Sequence, residues 1–97
     1  MERLVFLDRQ SLKANLRRPA FPHEWEGQAK TLERDVADRL SGATIAITNK
    51  VPIRRATLEK LPQLKMIAVA ATGYDVIDID ACRERGIAVA NIRNYAV

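Results

Sequence analysis

Ninety-seven residues suffice for one small domain and not for two independent cores, because a chain this short buries only about two thirds of its unfolded surface. Apolar residues at 47% and charged residues at 29% describe a packed, water-soluble fold rather than a disordered or membrane-spanning one, and the longest apolar stretch, Met66–Ala71, falls far short of the roughly 20 residues a bilayer requires. The net charge of +4 is scattered among acids, with Lys13, Arg17 and Arg18 and then Lys50, Arg54 and Arg55 as the densest basic groups and no interleaved aromatics, so neither nucleic acid nor a membrane is an expected partner.

Along the chain, the first apolar run, Leu4–Leu7, ends at Asp8 and is too short for a secretory signal, which makes the cytoplasm the default location. It reads as a strand. Residues 10–16 read as a helix interrupted by Asn15 and by Arg17-Arg18-Pro19. A weak strand is expected over Glu24–Gln28, just after the sole histidine, His23, which has no cysteine or second histidine to complete a metal site or a nucleophilic triad.

The next segment carries a helical pattern over Leu32–Leu40, with Thr31 as its N-cap, Leu32, Val36 and Leu40 on one stripe, and Ser41-Gly42 as its stop. A strand over Ala43–Thr48 follows, then a short helix over Arg55–Leu61 closed by Pro62, and a strand over Lys65–Ala70. Asp78 suits the N-cap and Gly86 the left-handed stop of a helix over Ile79–Arg85, and Ile87–Asn91 supplies the last strand. Cys82, the only cysteine, excludes an internal disulfide and reads as a buried structural thiol on that helix.

The strand runs are continuous rather than alternating, as in strands covered on both faces, and they alternate with amphipathic segments. Right-handed crossovers then make the fold an α/β, flavodoxin-like doubly wound parallel sheet of about five strands in order 2-1-3-4-5, with helices on both faces. Ligands of such sheets sit beyond the carboxyl ends of the strands. Two loops lie there: residues 48–53, carrying Lys50 and Val51, and residues 71–75, carrying Thr72 and Gly73. Gly73 lets a small carboxylate approach main-chain amides and Lys50 brings a positive charge, though a glycine set by turn geometry alone is an equal reading of the first and an exposed loop lysine is usually just solvated. Asp75 and Asp78 read as turn and cap residues rather than an acid-base pair. The four glycines, at positions 27, 42, 73 and 86, are too far apart for a dinucleotide or phosphate loop.

Three stretches carry a resemblance: Ala43–Ile53 (ATIAITNKVPI), Leu61–Asp75 (LPQLKMIAVAATGYD), and Ile77-Asp78 through Arg85–Asn91 (RGIAVAN). They resemble the D-2-hydroxyacid dehydrogenases, most of all the glycerate dehydrogenase or hydroxypyruvate reductase branch. The resemblance implies an enzyme that interconverts 2-oxo acids and D-2-hydroxy acids with NAD or NADP, in a cleft between a substrate domain and a nucleotide domain. Residues 1–97 then form the first segment of the substrate domain, with the nucleotide-binding domain absent. By the same comparison Thr72 and Gly73 match the position whose amides hold the substrate carboxylate, and Lys50 and Val51 match the loop that shapes the pocket. The family's catalytic arginine, glutamate and histidine come from the later region, so this segment is expected to carry no catalytic residue, no metal and no cofactor site, and to be inactive alone. Its last residues, Asn91–Val97, stop where a crossover helix is expected, which reads as a truncation, and the surface so left is expected to drive homo-oligomer formation. The alternative is a free-standing flavodoxin-like module that binds a small carboxylate or pairs with another protein.

Overall fold

The structure, a computed structural model, describes residues 2–8, 23–28, 30–70 and 76–91, with the side chains of His23 and Trp25 left out. Strand β1 is Glu2–Phe6 and β2 is His23–Gly27; a 3-10 turn, Glu33–Asp35, runs into helix α1, Val36–Arg39. Then come β3, Ile45–Thr48; α2, Arg55–Leu58; β4, Met66–Val69; α3, Ile79–Glu84; and β5, Ala88–Asn91. All four strand pairings are parallel, and the five strands lie in the order β2-β1-β3-β4-β5, the flavodoxin-like order expected from the alternating pattern. The helix expected over residues 10–16 lies outside the described residues.

The continuous apolar runs serve two faces of the sheet. Val5 and Leu7, Ala46, Ile67 and Val69 pack with Val36 of α1, Leu58 of α2, and Ala81 and Cys82 of α3 in one buried cluster, so the three described helices share a face. The intervening residues Leu4, Phe6, Ile47 and Ala68 point the other way and form a second buried cluster, with Ile45 and Met66 half-buried against it. Successive side chains of a strand point to opposite faces, and burial of both sets is what separates such a sheet from one wetted on one side.

Edge strand β2 has little apolar content, and its pairing is carried by the backbone along the full register from Glu2 opposite His23 to Phe6 opposite Gly27. Arg3 reaches across to Glu24 at 3.2 Å and to Glu26 at 2.9 Å. Ion pairs this exposed add little free energy, and they blunt an edge against unwanted strand pairing.

Three sequence expectations for the helices are corrected. Thr31 does not cap α1: its hydroxyl donates to the Leu7 carbonyl at 2.7 Å, just past the end of β1, and so is spent pinning the chain to the sheet. Without a side-chain cap the first turn tightens to 3-10 geometry, and Leu32, expected on the buried stripe, is 49% exposed. Val36 and Leu40 are buried as their spacing requires, and Gly42 takes φ 81° at the stop. The helix expected over Arg55–Leu61 is regular only to Leu58, and its start at Arg54 has no side-chain cap. In α3 the reading holds: the Asp78 carboxylate accepts the Ala81 N–H at 3.0 Å, and Gly86 takes φ 71° after the last turn.

Candidate functional site

Parallel strands bring their carboxyl ends to one edge of the sheet, where β1 runs into Leu7-Asp8, β3 into Asn49–Ile53 and β4 into Ala70. The loop after β3 is fastened at every turn. Asp8 is 4% exposed, and its two carboxylate oxygens accept the N–H groups of Asn49, at 2.8 Å, and of Lys50, at 2.7 Å. The Thr48 hydroxyl donates to the Val51 carbonyl at 2.8 Å and accepts the Val51 N–H at 3.1 Å. Further on, Ile53 forms a parallel bridge with Ile77: its N–H donates to the Val76 carbonyl at 2.7 Å, and its carbonyl accepts the Asp78 N–H at 3.2 Å.

The residues expected at the site fare differently. Lys50 is exposed, on a main chain held by Asp8, and offers its ammonium group to solvent at the sheet edge. Val51 is 8% exposed, belongs to the hydrophobic core cluster, and has its main-chain N–H and C=O both engaged by Thr48. Thr72 and Gly73 lie outside the described residues. Both flanks of their segment are described: the Ala70 N–H donates to the Thr48 carbonyl at 2.8 Å, and Val76 bonds to Ile53. Ala70 and Val76, the described residues on either side of positions 71–75, are thus both fastened to the stretch 48–53.

Sequence reading missed Asp8 and Thr48. Asp8 was seen only as the end of an apolar run, yet an acid directly after a parallel strand stands where loop N–H groups gather, and that position was the available signal.

The remaining titratable groups have structural work. Arg55 of α2 meets Glu84 of α3 at 2.6 Å and lies 4.0 Å from Asp78; the hydrogen bond to Glu84 raises its already high pKa. Burial, then the charge of Asp78, pushes the Cys82 thiol above its ordinary value, opposite to the shift a nucleophilic thiolate needs. His23 opens β2 rather than preceding it and pairs with Glu2 at the amino ends of the strands, the far edge from the loops. Asp75 lies outside the described residues.

Among the described residues no group of three or more His, Cys, Asp or Glu could hold a metal ion, and no helix is long and apolar enough to cross a membrane. The described glycines lie apart, Gly27 at the end of β2 and Gly42 and Gly86 in separate turns, and the N–H groups of residues 49–51 are turned toward Asp8 and Thr48.

Comparison with known proteins agrees with this architecture. Over 96 residues the chain is 53% identical to the glycerate dehydrogenase of Methylorubrum extorquens, covering 98% of this chain and 31% of that protein. It is 44% identical over 61 residues to the hydroxypyruvate reductase of Blautia hydrogenotrophica, covering 63% of this chain and 19% of that protein. The NAD+-bound 3-phosphoglycerate dehydrogenase of Entamoeba histolytica superposes with a TM-score of 0.72 at 24% identity, over 93% of this chain and 32% of that one, a likeness of fold. The chain therefore spans under a third of the length of these relatives. Residues 4–97 match the family described as D-isomer specific 2-hydroxyacid dehydrogenase, catalytic domain. The chain belongs to the D-isomer specific 2-hydroxyacid dehydrogenase family, on its glycerate dehydrogenase and hydroxypyruvate reductase branch.

Proposed function

We propose that this chain is the substrate-recognition segment of an NAD(P)-dependent cytoplasmic oxidoreductase that interconverts small 2-oxo acids and D-2-hydroxy acids of the hydroxypyruvate or glyoxylate type, and that it does not turn over alone. The observation that carries the reading is the fastened loop at the carboxyl edge of the sheet, with Lys50 on it and both flanks of the Thr72-Gly73 segment bonded to it. Such an edge holds and orients an anion. Lys50 attracts the substrate carboxylate, main-chain N–H groups at Thr72 and Gly73 bind it, and Val51 walls the pocket.

Hydride transfer requires more than this. A nicotinamide cofactor supplies the hydride, and a group of near-neutral pKa must exchange a proton with the substrate oxygen while a cation fixes the carboxylate. The described residues offer no such proton-exchanging group on this edge: the one cysteine is buried on α3, and the one histidine begins β2 at the opposite edge.

Two measurements test the reading. The chain alone, mixed with hydroxypyruvate and NADH or NADPH, is expected to leave the cofactor absorbance unchanged. Exchanged for the matching segment of the Methylorubrum glycerate dehydrogenase, it is expected to yield an enzyme that reduces hydroxypyruvate. Turnover by the chain alone overturns its inactivity, and a folded but idle chimera overturns the recognition role.

Self-association is part of the proposal. β5 is an edge strand, with Ala88 exposed and Val89 and Ala90 half-buried. A dimer is expected in sedimentation velocity, and a compact monomer at every usable concentration contradicts it.

A further inference from the structure

We infer that Asp8 is a positioning residue for acid recognition: its buried carboxylate fixes the loop after β3 and through it the approach of Lys50 to a bound 2-oxo acid. The inference rests on the recognition role proposed above and goes beyond it by naming what builds that edge. Three consecutive N–H groups, those of Asn49, Lys50 and Val51, are turned into the protein, the first two onto Asp8 and the third onto Thr48. Their direction leaves the side chain of Lys50, rather than the amides of residues 49–51, as what this loop presents to an anion. Hydrogen bonds from N–H groups to a carboxylate are short and about twice as strong as neutral ones, so the loop is held in place before a ligand arrives. A loop already ordered adds no ordering cost on binding.

The charge of Asp8 makes the inference sharp, because it acts in two opposed directions. A negative group beneath an anion site weakens binding through its charge and strengthens it by holding the loop. Removing that charge therefore separates the roles by sign. A purely electrostatic Asp8 predicts that Asp8→Asn binds the acid more tightly, a purely structural one predicts no change, and a positioning one predicts weaker binding despite the lost repulsion.

Asp8→Asn keeps the side chain's shape and puts an NH2 group where one loop N–H needs an acceptor. In the full 97-residue chain, hydrogen exchange at the Asn49 and Lys50 amides is expected to accelerate about tenfold or more, while Ile67 and Val69 in β4 keep their protection. In the chimera, KM for hydroxypyruvate is expected to rise about tenfold, with kcat and the KM for NADH within about twofold of their starting values. Unchanged exchange at the two amides, or a loosened loop with an unchanged or lowered KM, overturns the inference. If Asp8→Asn loses protection in β4 as well, Asp8→Glu, which keeps the charge but overreaches by one methylene, is judged by the same two readouts. A folded chimera that is idle with Asp8 intact overturns the recognition role and the positioning role together, whereas an active chimera indifferent to the substitution overturns only the positioning role.

Discussion

Replacing Ile67 with alanine is expected to lower the free energy of unfolding by about 4 kcal/mol, the upper part of the range for deleting a large aliphatic side chain from a closed core. Ile67 is fully buried in β4, between β3 and β5, and belongs to the cluster on which all three described helices pack. A side chain so placed leaves a void that strands on both sides prevent from collapsing. Domains of this size are stable by about 5–15 kcal/mol, so the variant loses a large part of its margin and its midpoint falls by about 20 °C. Urea titration followed by far-ultraviolet circular dichroism checks the value. A substitution at exposed Ala88, such as Ala88→Ser, is expected to change stability by no more than about 0.5 kcal/mol. A cost below about 1 kcal/mol for Ile67→Ala would place the core elsewhere.

Thr48→Val is expected to destabilise the fold by about 2–4 kcal/mol although it barely alters side-chain volume. Thr48 is fully buried at the end of β3, and its hydroxyl serves both the carbonyl and the N–H of Val51. Valine fills the same space and leaves two polar main-chain groups without that partner, each costing about 1–3 kcal/mol when buried. The exchange separates packing from hydrogen bonding at one site. Thr48→Ser, which keeps the hydroxyl and drops a methyl group, is expected to cost about 1 kcal/mol. If valine proves milder than serine, the hydroxyl does not hold the loop.

What could be read in advance follows the range of the interaction. All four apolar runs marked strands to within one or two residues, because burial on both faces leaves a continuous hydrophobic signature that needs no partner to be recognised. α3 was legible for the same reason: its cap at Asp78 and its stop at Gly86 act within one turn of the helix they bound. Thr31 misled because its hydroxyl has two possible uses, and the choice fell to a carbonyl 24 residues away in sequence. The loop clamp was invisible by the same logic, since Asp8 and Asn49 stand 41 residues apart and meet only when β1 lies beside β3. Lys50 and Val51 were singled out by chain position and family likeness, whereas the carboxylate that holds the Lys50 backbone comes from the end of another strand.

The parallel bridge between Ile53 and Ile77 also bears on how this edge can diverge. With Ala70 secured to Thr48 and Val76 secured to Ile53, the two described flanks of residues 71–75 rest on one short abutment. Adding or deleting a residue in that abutment displaces both flanks. New ligand preferences are therefore more readily acquired by exchanging side chains at fixed length than by insertion, and a library built on this edge should vary residue identity and leave spacing untouched.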